Sequence, residues 1–238
     1  MKVHIFSIMW NEEYFLPYFL RYYETFADKI YIFDDRSTDR TAEIAKANPK
    51  VELLEYKYPT GVDEDDHSRC FENAYKKYSR GVADWVFCVD ADEIIYNQNI
   101  KAVLKAEREE GVEVIKTTGY QMVSEKLPRT DKQIYEVCKT GGRSRGYDKP
   151  VVLSPEIDVE FGIGRHSAEF PEGTHVVKAK LLLLHYRYLS RYFVINRAKT
   201  SYPRWNEMSQ EQQDWRLNRA LKWYDQVIAN PQELEKVV

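Results

Sequence analysis

Trp85-Val86-Phe87-Cys88-Val89-Asp90-Ala91-Asp92-Glu93 is the stretch that decides how this chain is read. Five apolar residues in a row, bounded by Asp84 and Asp90, describe a strand buried on both faces, as in a parallel sheet. That strand delivers three carboxylates, Asp90, Asp92 and Glu93, to its carboxyl end. In open α/β sheets, ligands bind in the crevice outside the carboxyl ends of the strands. Acidic oxygens crowded there call for a cation, and hard divalent ions such as Mg²⁺ or Mn²⁺ suit oxygen ligands. Magnesium favours one or two carboxylates completed by substrate phosphates, so the stretch points to a metal-diphosphate complex.

Working towards the N-terminus, residues 3–9 read as a first buried strand with Asn11 at its end. Residues 12–26 form a strongly apolar helix, with Pro17 placed in its first turn. A second strand over 29–33 ends at Asp34-Asp35, and Ser37 or Thr38 is expected to cap a helix running to about Ala47. A third strand spans 51–56. The acidic run Asp63-Glu64-Asp65-Asp66 reads as a solvated loop in which Asp66 caps a helix over 67–80, closed by Gly81. Strands and helices alternating in this way imply parallel strands with right-handed crossovers, half of a doubly wound sheet.

After Tyr96 the alternation weakens. A polar helix is expected over 98–110, a strand over 113–120, and a long loop or ribbon over 127–147 containing Gly141-Gly142. Strands over 150–153 and 175–186 flank the loop Gly162-Ile163-Gly164-Arg165-His166. From Ser190 onward the chain reads as helical, interrupted near Pro203 and Pro231. The expected partition is 1–188 as one domain, divided at residue 96, followed by a helical extension over 189–238.

Composition narrows the classes. Of 238 residues, 43% are hydrophobic and 31% charged, the profile of a globular protein rather than a disordered one. A net charge of −3 gives no overall basic surface for nucleic acid, and no nucleic-acid partner is expected. The three cysteines are widely spaced, without a Cys-x-x-Cys pair, which fits a reducing compartment and neither a disulfide framework nor a cysteine zinc site. Residues 1–10 make a poor signal peptide, and no run approaches the roughly 18 apolar residues of a membrane span. A cytoplasmic location is therefore expected. Aromatic residues reach 14%, with 18 tyrosines. The C-terminal helices mix Tyr192, Phe193, Trp205, Trp215, Trp223 and Tyr224 with arginines and lysines. Helical spacing favours core packing for these, and the sharper reading is peripheral contact with a lipid-linked acceptor or the inner face of the membrane.

Two acidic turns at the carboxyl ends of strands in one half-sheet should face one crevice: Asp34-Asp35-Arg36-Ser37-Thr38-Asp39-Arg40-Thr41 and Asp90-Ala91-Asp92-Glu93. With Ile8-Met9-Trp10-Asn11-Glu12-Glu13 after the first strand, these pieces resemble GT-A-fold glycosyltransferases, particularly family 2 and a related group with an Asp-x-Asp-Glu motif. The resemblance covers residues 1–96. It implies a Rossmann-like, doubly wound, mostly parallel α/β sheet whose first half binds a nucleotide-sugar, a UDP-sugar being first among the donors. By position, Asp35 with Asp34 would contact the nucleoside, Asp92 would ligate Mn²⁺ or Mg²⁺, and Asp90 would serve ribose or metal. Asn11, Glu12, Arg69 and Asn73 would lie near the donor. The family's usual glycine after the acidic pair is Arg36 here, which implies a differently shaped turn and a cation near phosphate.

In the second half, Asp148-Lys149-Pro150-Val151-Val152, Gly164-Arg165-His166 and Leu184-His185-Tyr186-Arg187 resemble acceptor-side features of the same group. That implies His185 as a metal or diphosphate ligand, with Lys149 and His166 as substrate contacts. Displacement at an anomeric carbon needs a base for the acceptor hydroxyl and a cation for the leaving phosphate. The base is sought among second-half carboxylates, Asp148 first and Glu169 second. The implied reaction is transfer, with inversion, from a nucleotide-diphosphate-sugar to a glycan or lipid-linked acceptor. Rival readings are a sugar nucleotidyltransferase, an aspartyl phosphatase and an inactive scaffold. The first would want a glycine-rich basic turn where Asn11-Glu12-Glu13 stands, and the second would place its acidic strand nearest the N-terminus.

Overall fold

Six of the seven residues of β1 (Val3–Met9) are buried, and this strand lies inside the main sheet. The computed structural model describes residues 1–57, 63–178, 180–204 and 208–238. β2 (Lys29–Asp34) and β4 (Trp85–Cys88) pair with β1 on either side, both parallel, and β3 (Val51–Glu55) adds outside β2. The crossovers are helices α1 (Leu16–Tyr23), α2 (Thr41–Ala47) and α3 (Glu64–Ser79). Alternation divides β4 between two cores: Trp85 and Phe87 pack on the α1 side, while Val86 and Cys88 join Phe71 and Tyr75 of α3. The continuous apolar run is thus a strand covered on both faces. Register brings Met9 level with Asp34, so the two strand ends open at the same height.

After β4 the chain changes sheets. β5 (Glu93–Tyr96) belongs to a second sheet, and helix α4 (Ile100–Glu109) then leads to β6 (Val114–Ile115). The second sheet also contains β7 (Thr118–Ser124) and, after the single-turn helix α5 (Ile134–Val137), β8 (Thr140–Arg143). β9 (Val152–Leu153) runs antiparallel to β4, extending the main sheet towards β6. β10 (Glu160–Phe161) and β11 (Ala168–Glu169) form a small antiparallel ribbon around the His166 loop. β12 (Val176–Val177) closes the edge of the main sheet, and β13 (Leu182–Leu189) lies between β5 and β7 in the second. The Asp90–Glu93 turn is therefore the joint between two sheets. Helices α6 (Arg191–Ser201) and α7 (Gln210–Ala229) follow, and β14 (Glu235–Lys236) returns the C-terminus to β8.

The first half matches the sequence expectation closely, with instructive differences at helix starts. α2 begins at Thr41 and carries no side-chain cap; Ser37 and Thr38 bond to Asn11 instead. α3 begins at Glu64, because Asp63 accepts the amides of Asp65 and Asp66 and is itself the cap. The expected strand over 113–120 divides into β6 and β7, one in each sheet, and the 127–147 stretch contains α5 and β8. Pro17 sits in the first turn of α1, and Gly81 takes φ +71° after α3. Among the C-terminal aromatics, Phe193 packs on Tyr14 and Phe15, Trp223 on Tyr188, and Tyr224 is buried. Tyr192 and Trp215 are exposed by 74% and 59%; Trp205 lies outside the described residues. No helix among the described residues is long and apolar enough to cross a membrane.

Gly119 shows how tightly the second sheet holds the site. A Cβ there would overlap both the side chain and the backbone of Tyr147, and backbone cannot swing aside. Gly119→Ala should lower stability by about 1–3 kcal/mol, read as a lower urea midpoint with an unchanged denaturant slope.

Candidate functional site

The site begins where β1 and β2 end. Asn11 takes φ +52°, a left-handed conformation that asparagine tolerates, and its Oδ1 accepts the Thr38 amide at 2.7 Å. Its own amide donates to Ser37 Oγ at 3.0 Å. Asn11 thus clamps the acidic turn against the end of β1. Arg36 stands in the left-handed region too, φ +59°, where glycine would be free of strain. Its guanidinium folds back onto Asp35 Oδ1, with Nη2 at 2.5 Å. The turn keeps the glycine-type backbone and adds a cation. Asp35 is 1% exposed and receives a second guanidinium, that of Arg204, which also lies 4.0 Å over the Trp10 ring.

The turn between the sheets supplies the other acids. Glu93, fully buried, accepts the Asp90 amide at 3.1 Å and the Lys149 ammonium at 2.7 Å. Lys149 is buried as well, so this ion pair fixes the shape of the turn; leaving either charge alone would be strongly destabilising. Asp90 Oδ1 accepts Arg165 Nη2 at 2.5 Å. Arg165 is itself buried, with φ +57° and its guanidinium 4.3 Å over the Phe71 ring. Asp92 Oδ2 lies 3.3 Å from Arg197 Nη2 and 3.4 Å from His185 Nε2. Arg197 also grips both carboxylate oxygens of Glu12, at 2.9 and 2.7 Å.

These pairings set the ionisation. Burial pushes the Asp92 carboxyl up, but the facing His185 and Arg197 outweigh it and hold it well below the usual carboxylate range. Asp90 is also held low, with Arg165 and Lys149 overcoming its desolvation. For Glu12, burial wins over Arg197 and raises it to about 7.

One cavity of about 450 Å³ collects these groups. Of the residues expected from sequence, Asn11, Glu12, Asp35, Asp90, Asp92, Lys149, His166 and His185 line it, so acids from β2 and β4 do face the same space. Asp34, Arg69, Asn73, Asp148 and Glu169 do not line it. Asp34 Oδ1 accepts the Ser37 amide, Arg69 pairs with Asp66, and Asn73 borders a different pocket with Phe33, Leu54 and Tyr78. Glu169 is exposed on the β10–β11 ribbon opposite Glu160. Asp148 is a clasp: it takes Arg143 at 2.6 Å, Lys178 at 2.8 Å and the Gly119 amide at 2.9 Å.

The cavity contains residues that the sequence reading passed over: His67, Tyr147, Arg165, Arg187, Arg197 and Arg204. His67 was within reach. Phe71 is buried against the sheet, and counting back one helical turn on the same face of α3 gives His67, whereas Arg69 points elsewhere. The Nε2 of His67 is buried and has no hydrogen-bond partner among the described residues. Arg197 and Arg204 carry no local signal, because their role depends on α6 folding back across the ends of β1 and β2.

His185 and Asp92 form the pair suited to a divalent ion. His185 Nδ1 lies 2.7 Å from Gln121 Oε1, which orients the ring and aims Nε2 at Asp92. Protonated, that Nε2 is the positive charge that faces the Asp92 carboxylate across 3.4 Å; with its proton displaced by a cation, the two atoms would stand like neighbouring positions in one metal shell, where ligands at about 2.1 Å stand roughly 3 Å apart. Among the described residues no group of three His, Cys, Asp or Glu side chains is arranged to hold a metal by itself. The arrangement fits an ion that takes its remaining ligands from a diphosphate.

The architecture is the GT-A fold of glycosyltransferases. TarS of S. aureus, residues 1–349 in complex with UDP-GlcNAc, superposes with TM-score 0.54 at 12% identity, over 94% of this chain and 66% of that one. The same fragment in complex with UDP gives 0.51 at 14% identity, over 95% and 71%. Against another TarS structure the score is 0.51 at 12% identity, over 93% of this chain and 43% of that one. The present chain thus spans less than half the length of that TarS chain. No family model matches the sequence, and no curated protein does.

The Asp148 clasp makes a pH prediction. Burial opposes ionisation, but Arg143, Lys178 and the Gly119 amide bring its carboxyl from the ordinary 3.8 down to about 2. A depressed folded value means that the stabilisation is complete above the ordinary value and lost as pH falls through about 2. In denaturant titrations, Asp148→Asn should be less stable than the parent at pH 7, and the gap should close between pH 4 and pH 2.

Proposed function

We propose that this chain is a glycosyltransferase of the family 2 type. It would move a sugar, with inversion, from a nucleotide-diphosphate-sugar, a UDP-sugar first, to a glycan or lipid-linked acceptor. The observation that carries the reading is the opening of Asp35 and Asp92, from two separate strand ends, into one cavity. The UDP and UDP-GlcNAc named for the TarS structures support a uridine donor.

In this reading Asp35, with Trp10 and His67 beside it, receives the nucleoside, and Asp90 lies next along the cavity towards ribose. Asp92 and His185 would hold Mn²⁺ or Mg²⁺ on the diphosphate. When bound, the ion lowers the cost of the charge that develops on the departing phosphate. Arg197 and Arg204 sit where the donor carboxylates are, and can turn from carboxylate to phosphate, since guanidinium binds both in the same planar fork. The Glu93–Lys149 pair keeps the turn rigid, so that Asp90 and Asp92 are positioned before the donor arrives. The cavity's balanced acids and arginines argue against a triphosphate-cradling nucleotidyltransferase, which would need a basic glycine-rich turn where Asn11 and Glu12 stand.

A thermal-shift series with UDP, with and without Mn²⁺, tests the site directly. Ligand at one hundred times its dissociation constant stabilises by about 2.7 kcal/mol. The parent should show this shift in its metal-dependent form, and Asp92→Asn should lose the metal dependence. UDP release from a turned-over UDP-sugar should fall by about 10²–10³-fold in that variant. Turnover with intact metal dependence in Asp92→Asn would refute the assignment.

A further inference from the structure

Every carboxylate lining the cavity already has a partner. Asp35 holds two arginines, Asp90 holds Arg165, Asp92 and Glu12 share Arg197, and Glu64 accepts the Gly164 amide at 3.0 Å. Glu12, although burial raises it to about 7, gives both oxygens to Arg197 and turns neither to an acceptor, and a carboxylate held low by a facing cation, as Asp90 and Asp92 are, is a weak proton acceptor. The second-half acids that sequence nominated, Asp148 and Glu169, lie outside the cavity lining. The group that deprotonates the acceptor must therefore be sought among other side chains.

His166 meets the requirement by geometry. Its Nδ1 lies 2.5 Å from the Gly146 carbonyl, which only accepts, so the proton sits on Nδ1 and Nε2 keeps its lone pair. No hydrogen bond or ion pair engages that Nε2 among the described residues. The ring stands edge-on to Tyr147 at 5.0 Å, and Tyr147 stacks on His185 at 4.4 Å. His166 is thus one aromatic ring away from the Asp92–His185 pair. Ile163, on the same loop, also lines the cavity and is 72% exposed. Gly164, at φ +61°, is packed against the imidazole: a Cβ there would come within 3.0 Å of Nε2. The loop therefore fixes the ring as well as presenting it.

We propose that His166 is the general base of this transferase, an inference that rests on the nucleotide-sugar reading above. Nε2 takes the proton of the acceptor hydroxyl as its oxygen forms the bond to the anomeric carbon. The bond from that carbon to the diphosphate breaks, and its electron pair leaves on the nucleoside diphosphate. The imidazolium then returns its proton to solvent, so one proton is released per transfer. The charged groups around the ring are Lys149, Asp90 and Glu93, and desolvation, with Lys149 beside it, lowers the imidazole's pKa from 6.5. Aspartate 90 and Glu93 can then stabilise the imidazolium as it forms.

His166→Gln and His166→Ala separate this role from a structural one. The first measurement is UDP binding with Mn²⁺, by thermal shift. The second is UDP release from UDP-glucose, UDP-galactose and UDP-GlcNAc, with water and simple sugars as acceptors. The expected result is unchanged UDP binding in both variants, with kcat reduced by about 10²–10⁴-fold. The rise of kcat/KM with pH through the base's titration should disappear in His166→Gln, and added imidazole should partly restore His166→Ala. Turnover within a few-fold of the parent, or an unaltered pH profile, overturns the base assignment while leaving the donor site standing. Loss of UDP binding together with turnover also overturns it, in favour of a structural role. A parent that binds UDP but releases none from any sugar overturns it as well, since a base in place activates water. Failure of the parent to bind UDP at all counts against the nucleotide-sugar reading itself.

Discussion

The structure depends on charge compensation at the carboxyl edge of the main sheet. Asp35, Asp90, Asp92 and Glu93 are all carried there by strand ends that are otherwise wholly apolar. Buried carboxylates without partners would cost several kcal/mol each, and the fold supplies those partners from one adjacent residue and three distant parts of the chain. Arg36 comes from the same turn, Lys149 from the strand entering β9, Arg165 from the β10–β11 loop, and Arg197 and Arg204 from the C-terminal helical segment. The long-range topology is in this sense written around the acids.

That arrangement explains which parts were legible in sequence. The half up to Tyr96 was readable because each element announces itself locally. Strands of one apolar residue after another, a proline in the first turn of α1 and a glycine after α3 leave few alternatives. The acidic turns were readable because carboxylates at strand ends have a limited set of uses. Helix starts were less so: Ser37 and Thr38 look like caps, but Asn11, brought close by the parallel pairing of β1 and β2, competes for them. The same contest between local and distant partners decided Lys149, whose buried ion pair with Glu93 gives it a scaffolding part beyond any contact with substrate.

The second half was harder for a physical reason. Its strands are two to eight residues long and are held by pairing with strands distant in sequence rather than by their own periodicity. Asp148 looks like an available acid beside a lysine, yet Arg143 and Lys178 close around it because the segment after β8 folds back onto the start of β7. The arginines of α6 could not be placed at all from sequence. Their spacing says helix, and only the path of β13 past the site says which face meets the cavity. Histidine 185 was placed correctly in the cavity because the apolar run before it fixes its strand and its register against Glu93.

Among the described residues, six permanent cations line the cavity against five carboxylates, and three of the six, Arg197, Arg204 and Arg216, come from beyond residue 189. The boundary that looks natural along the chain is therefore not a boundary of function. Trimming the polypeptide there would strip Arg197 from Glu12 and Asp92 and Arg204 from Asp35, leaving the cavity with an excess of negative charge. The tail acts as an electrical counterweight to acids that the first half of the chain carries.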